Sequence, residues 1–229
     1  MKLTKMFCAS ATALCCLLAL ISCRQGPDAA SGPLAPVDVK VVDHLVAVLG
    51  HESCVLELVD PASGEKVKSI RLAQPPNGMA VDGATAYVAE GGPRGAVEVV
   101  DLESGALKRS FPAGHTPMSP VVRGGKLYVA CRFDSRVLEM DAATGTVLDS
   151  WNVPRDPVAL AVSPDGRKIW AAGHLPAGAA DGDFTAAALT LVEDGKAVHF
   201  PLSNGTQGVR GMAISPDGRY LAVGADERL

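Results

Sequence analysis

An all-β propeller is the fold class this sequence predicts, and three observations predict it. The first is a period near 40 residues: Asp60 to Asp101 spans 41 residues and Asp101 to Asp141 spans 40. Val81, Val122 and Val162 repeat at 41 and 40, and Tyr87, Tyr128 and Trp170 at 41 and 42. The second is a strand–turn–strand unit at Val158 to Gly173, VALAVSPDGRKIWAAG, much of which returns at Gly211 to Gly224, GMAISPDGRYLAVG. Diverged copies stand at Gly78 to Glu90 and at Ser119 to Cys131. The third is short runs of period-2 apolar residues, with no long 3.6-residue periodicity after residue 23. Short strands recurring at this period are the pattern of propeller blades of about four strands each.

The N-terminus stands apart from the repeats. Lys2 and Lys5 form a basic start, and Met6 to Ile21 is almost entirely apolar and small, the pattern of a secretory signal. Leu20-Ile21-Ser22-Cys23 resembles the bacterial lipobox. The resemblance implies diacylglyceryl transfer to the Cys23 thiol, cleavage before Cys23 and acylation of the new N-terminus. Residues 1–22 are therefore expected to be a lipoprotein signal peptide, and the membrane is an expected partner through Cys23. Residues 23–36, rich in Pro, Gly, Ala and Ser, read as a tether that can bury little. The repeats then occupy 37–229.

Val37 to Val41 alternates valine with charge, as a half-buried strand does. Leu45 to Leu49 and Cys54 to Val59 are the next two apolar runs, separated by Gly50-His51-Glu52-Ser53. Asp60-Pro61-Ala62-Ser63-Gly64 then opens a turn motif, D-x-x-[ST]-G, that returns at Asp101 to Gly105 and Asp141 to Gly145. Its aspartate can accept hydrogen bonds from turn amides, and its glycine supplies a positive φ, so a hairpin turn with a glycine bulge is expected rather than a metal loop. Ala86 to Ala89, Ala96 to Val100, Leu107 to Phe111 and the neighbourhood of Val121 and Val122 read as strands of one period. In the third copy Glu139 falls one place later than Glu57 and Glu98 do in theirs, which a bulge would produce.

The fourth copy is longer. Val162 to Ile214 spans 52 residues, and the additional stretch lies at 174–188, HLPAGAADGDFTAAA, as an insertion projecting from the rim. Leu189 to Val192 and the turn Glu193 to Lys196 resume the pattern. A fifth copy opens at Tyr220 to Gly224 and the repeat runs to Leu229 without a closing strand. Propellers close with roughly 4 to 8 blades. The expectation is thus an incomplete, truncated propeller, with about four blades of a ring of about seven.

Composition excludes some partners. The formal charge is −4, and removal of the leader takes two lysines and no acid, leaving −6. No basic cluster remains, so nucleic acid is not an expected partner. Of the six cysteines only Cys54 and Cys131 belong to the mature body beyond the lipid site. They stand 77 residues apart, and two separate, mostly buried thiols are expected.

With these motifs in view, the units at 158–173 and 211–224, the D-x-x-[ST]-G turns and the strands Tyr87-Val88-Ala89-Glu90 and Tyr128-Val129-Ala130-Cys131 resemble the YVTN family of β-propeller repeats. The likeness covers about residues 41 to 229. It implies architecture more than activity, since that family includes surface-layer and binding proteins, and related propellers include lactonases. Gly173 to Gly178, Ala180 to Asp183, Leu202 to Gly205 and Arg210-Gly211 are similar to a bacterial subgroup in which such a propeller precedes a c-type cytochrome or cytochrome-peroxidase-like region. The haem-attachment pattern C-x-x-C-H does not occur in this sequence, so haem would belong to a region beyond Leu229 and this chain itself calls for no cofactor.

No sequence motif marks a catalytic residue: G-x-S-x-G, H-E-x-x-H and a phosphate-binding glycine loop do not occur. His51, His115 and His174 fall near loops that a propeller gathers at one mouth, which makes them the metal-ligand candidates. His174, Asp181 and Asp183 are the ligand-binding candidates, Asp181-Gly182-Asp183 resembling the start of a calcium loop without its distal acid. The expected function is a lipid-anchored binding module of the bacterial envelope, facing the periplasm or on the outer membrane, with a protein or small ligand at its loop face. The alternatives are a propeller module of a larger haem-dependent redox protein and a propeller lactonase.

Overall fold

The computed structural model describes residues 34–177 and 186–227. The leader, Cys23 and most of the tether lie outside the described residues, as do Asp181 and Asp183. Blade 1 comprises β1 (Pro36–Val42), β2 (Leu45–Gly50), β3 (Val55–Val59) and β4 (Lys66–Arg71). Blade 2 comprises β5 (Pro76–Asp82), β6 (Thr85–Glu90), β7 (Ala96–Asp101) and β8 (Leu107–Pro112). Blade 3 comprises β9 (Pro117–Arg123), β10 (Lys126–Cys131), β11 (Arg136–Asp141) and β12 (Val147–Asn152). Blade 4 comprises β13 (Pro157–Val162), β14 (Lys168–Pro176), β15 (Ala187–Glu193) and β16 (Lys196–Pro201). A final pair, β17 (Thr206–Ile214) and β18 (Leu221–Glu227), forms a two-stranded fifth sheet. The protein is an all-β propeller with four-stranded antiparallel blades, as the 40-residue period predicts.

Each sheet is a meander, and the first strands of successive blades stand side by side: β1 with β5, β5 with β9, β9 with β13, β13 with β17. Those strands are the inner ones. The fourth strands β4, β8, β12 and β16 are outer edges and largely exposed. Three of the four outer edges keep one apolar residue turned inward at the same register: Ile70 opposite Leu56, Phe111 opposite Val97, Trp151 opposite Val137. All three are buried. The core is accordingly a series of slabs between blades rather than one central core. Leu56, Leu58 and Ile70 of blade 1 meet Met79, Val88 and Val100 of blade 2. Tyr87, Val99 and Phe111 meet Leu127, Leu138 and Met140. Tyr128 and Trp151 meet Leu160, Ile169 and Val192.

The turn motif behaves as its chemistry requires. In the first copy the Ala62 amide donates to Asp60 Oδ1 at 2.8 Å and the Ser63 hydroxyl to Oδ2 at 3.1 Å. In the third, the Ala143 and Thr144 amides donate to Asp141 Oδ1. Gly64, Gly105 and Gly145 all have positive φ, between 72° and 78°. In the SPDGR turns Ser163 and Ser215 donate to Asp165 and Asp217 at 2.5 Å each.

Two details differ from the sequence reading. Glu139 has no bulge of its own, because all three blades shift register at the same place, between Leu58 and Val59, Val99 and Val100, and Glu139 and Met140. Leu138, not Glu139, occupies the register of Glu57 and Glu98, and Glu139 points to the opposite face, where Lys126 binds it at 2.6 Å. The fourth-blade insertion is drawn into the sheet at both ends. β14 continues through His174 to Pro176, which pairs with Ala187 after a register shift that begins at Ala172. A single 3-10 turn, Arg132–Asp134, is the one helical element among the described residues.

Candidate functional site

Strand direction sorts the connections onto two rims. The first-to-second and third-to-fourth turns, with their repeated aspartates, share one end of the blades. The second-to-third loops and the links between blades share the other, which is the loop rim. His51, His115 and His174 all lie on the loop rim, whereas His44 lies in a turn at the opposite end.

The loop rim begins from one recurrent contact. Pro36, Pro76, Pro117 and Pro157 open the inner strands of four blades, and each stands opposite the residue that closes or nearly closes the second strand: Gly50, Glu90, Cys131 and Gly173. Proline suits the first position of a strand because no ladder amide is lost there. The next residue is then His51, Gly91, Arg132 or His174. Three of these four reach across to the following blade. His51 Nδ1 donates to the Pro76 carbonyl at 2.7 Å. His174 Nδ1 donates to the Val209 carbonyl at 3.2 Å. Arg132 forms a fork on Asp156, Nε to Oδ1 at 2.5 Å and an Nη to Oδ2 at 3.2 Å. At the remaining seam Gly91 has no side chain, and Asn77 instead donates to the carbonyls of Gly91 (3.0 Å) and Pro117 (3.1 Å). Each seam thus carries one polar latch at this rim. A carbonyl can only accept, so the bonded histidine nitrogens carry their protons.

The third candidate histidine is placed differently. His115 sits in the link between blades 2 and 3, its ring 4.9 Å from that of Phe133. Asp134 accepts from the His115 amide at 2.8 Å. The Arg132 guanidinium lies 5.1 Å from the same Phe133 ring, in cation–π range. Phe133 is therefore held between two polar groups while its own side chain stays 58% exposed. Beneath it Cys131 donates its thiol to the Ala113 carbonyl at 2.9 Å, and burial, with the Asp134 carboxylate close by, pushes that thiol up to about 12. A thiol so placed is inert at neutral pH. Cys54 and Cys131 are both free, in keeping with two separate cysteines.

The three histidines share a rim but not a site. Among the described residues no group of three or more His, Cys, Asp or Glu side chains is gathered to hold a metal. The candidate ligands Asp181 and Asp183, and the lipidation candidate Cys23, lie outside the described residues. What the loop rim does offer is an exposed aromatic with arginines around the same end. Arg94 and Arg155 are exposed there, Arg155 Nε donating to the Pro176 carbonyl at 3.0 Å. No lysine stands in the described loops of this rim, while eight aspartates occupy the turn rim: Asp43, Asp60, Asp82, Asp101, Asp141, Asp165, Asp194 and Asp217. The sequence offers His51 and His174 as ligands rather than as seam latches, and it does not mark Asn77, Arg132 or Phe133. The prolines at spacings of 40, 41 and 40 were the available signal for the latch positions.

A protein-family model described as outer membrane protein assembly factor BamB matches residues 51–207. No curated protein matches the chain. Among solved structures, Kuenenia stuttgartiensis hydrazine synthase is similar with a TM-score of 0.56 at 20% identity, over 88% of this chain and 76% of that chain. A chain of the mitotic checkpoint complex is similar with a TM-score of 0.59 at 15% identity, over 83% of this chain and 71% of that chain. At these identities the likeness is one of fold.

Proposed function

The chain belongs to the family of the outer membrane protein assembly factor BamB, and from that premise we propose that it is an envelope-located propeller that binds a partner protein through its loop rim, tethered by lipid at Cys23. The observation that carries the binding role is Phe133, an exposed aromatic pre-positioned by His115 and Arg132 on the rim where arginines rather than lysines stand. Rigid, solvent-facing aromatics and arginines are the residue types that anchor protein interfaces. The turn rim is repetitive hairpin chemistry, and Asp60, Asp101, Asp141, Asp165 and Asp217 accept hydrogen bonds from their own turns. His174 serves the proposal as a latch between blade 4 and the fifth sheet, while Asp181 and Asp183 lie outside the described residues. No catalytic role is assigned to any residue.

Site-specific photo-crosslinking in the intact envelope tests the reading. A crosslinker at Phe133 should trap a defined protein species, and one at Thr144 on the turn rim should not. Equal trapping from both rims, or none from Phe133, rejects it. The anchor is tested separately with labelled palmitate, since label kept by a Cys23→Ala variant rules out lipidation there. The narrower kinship with YVTN repeats followed by a cytochrome region is a second reading, favoured by the fourth-blade stretches 173–178 and 202–205. A haem stain of the full-length gene product decides it.

A further inference from the structure

Two glutamates of blade 2 are buried where the function of neither is explained. Glu90 closes β6 and is 2% exposed, and Glu98 in β7 is 7% exposed. Glu90 stands opposite Ala96 and Val88 opposite Glu98, so the two acids are diagonal neighbours on one face of the sheet. That face is the one turned to blade 1, because Val88 and Val100, each two residues from a glutamate, pack against Leu56, Ile70 and Leu72. The two carboxyl groups lie within hydrogen-bonding reach of one another. Glu90 Oε2 accepts from the Gln74 amide at 3.1 Å, which ties it to the link that leaves blade 1. With both side chains ionised, Glu90 Oε1 and Glu98 Oε2 are buried acceptors that find no donor.

Among the described residues no cation is paired with either acid. Lys66 is bound to Glu57, Lys108 to Asp101, and Lys68 to the carbonyls of Leu102 and Glu103. The His51 ring is bonded to the Pro76 carbonyl, and Arg71 and Glu52 are exposed at the rim. From β8 the residue facing Glu98 is Ser110, which carries no charge. Among the described residues Glu98 is the charged group that acts on Glu90. Two like charges buried together cannot both persist, and one proton supplies the missing donor.

We propose that Glu90 and Glu98 share a single proton, and that this proton keeps the seam between blades 1 and 2 closed, so that the seam loosens as the pH rises. One carboxyl O–H donates to the neighbouring carboxylate, and deprotonation releases that proton to solvent and leaves two facing anions. Burial first, then the bond to and the charge of Glu98, push the Glu90 carboxyl up to about 8, against a slight opposing pull from the Gln74 amide. A raised folded value means that the folded chain holds a proton which the unfolded chain has already released. The stabilisation is complete below the ordinary value of 4.5 and is lost as the pH rises through about 8.

Urea unfolding of the full chain from pH 5 to 9 tests this beside Glu98→Gln, whose amide donates to Glu90 permanently. The folding constant of the unaltered chain should fall, relative to the variant, by up to about tenfold per pH unit within that window. Parallel profiles overturn the proposal. Amide exchange at Leu72 and Gln74, corrected for intrinsic rates, should quicken above pH 8 in the unaltered chain and not in the variant. Equal protection at both pH values overturns the seam. Carbon-13 carboxyl titration of the unaltered chain needs no variant to fold: a glutamate titrating above pH 7 is expected, and completion of every glutamate below pH 6 overturns the proposal. Stabilisation by calcium at pH 8 that is lost in Glu98→Gln assigns a cation in place of the proton, and likewise overturns it.

Discussion

Asp156 is the most constrained acid of the loop rim. It is 4% exposed, has a φ of 63°, and depends on the Arg132 fork for its charge partner. Removing Arg132 would leave a buried carboxylate without a cation. Arg132→Ala should therefore lower stability by about 2–3 kcal/mol in urea unfolding, below the ~3–5 of a fully buried pair because the arginine is itself part-exposed. Arg132→Lys should recover only part, since a lysine cannot form the planar fork. Phe133 next to it carries the opposite expectation. Its ring is mostly in solvent, so Phe133→Ala should leave stability within about 0.5 kcal/mol of the unaltered chain. The same variant should abolish the crosslink that the binding proposal expects. Loss of stability comparable to that of Arg132→Ala would mean that Phe133 is a structural residue instead.

The repeated turns allow a comparison in which the local sequence is nearly constant and the surroundings change. Gly64 and Gly145 close equivalent D-x-x-[ST]-G turns with φ of 72° and 74°. A Cβ on Gly64 would meet nothing within 4 Å, whereas one on Gly145 would come within 2.3 Å of the Phe111 ring. Gly64→Ala should cost about 1–2 kcal/mol, the penalty of a left-handed conformation alone. Gly145→Ala should cost more, because it also displaces Phe111 from the slab between blades 2 and 3. Equal melting temperatures for the two variants would show that Phe111 yields freely. The pair also illustrates what could be read from sequence. The turns, the blade period and most strands were legible because one backbone geometry needs the same aspartate and glycine at each copy. The seam latches were not, because His51, Asn77, Arg132 and His174 solve one geometric problem with different side chains and so leave no repeating letter. Glu139 misled for the converse reason: the acid moved to the other face while the backbone register stayed the same. The loop-rim location of His51, His115 and His174 followed from the period, but their separate partners depend on distances between blades that spacing does not encode.

Across the whole molecule, protonation acts with opposite signs at two places. At the turn rim, Asp60, Asp101, Asp141, Asp165 and Asp217 accept hydrogen bonds from their own turns, and their carboxyls are held below the ordinary value of 3.8. For Asp101 the hydrogen bond from Lys108 is the largest cause, for Asp60 and Asp141 the turn amides, and for Asp165 and Asp217 the serine hydroxyls. Depressed values mean that these turns contribute fully above 3.8, and that the contribution is lost as the pH falls through the lowered folded values. The Glu90–Glu98 pair works the other way, losing its contribution as the pH rises from 4.5 toward about 8. The two limbs meet on the acid side of neutrality, so maximal stability is expected there rather than near pH 7. The limbs should also be separable. Replacing Asp60, Asp101 and Asp141 together by Asn should flatten part of the acid limb of the unfolding profile, the share of Asp165 and Asp217 remaining, and leave the alkaline limb as it was. Glu98→Gln should do the reverse. A triple variant that changed both limbs would mean that the turn rim and the blade 1–blade 2 seam are coupled through the sheets, instead of acting as independent titrations on one propeller.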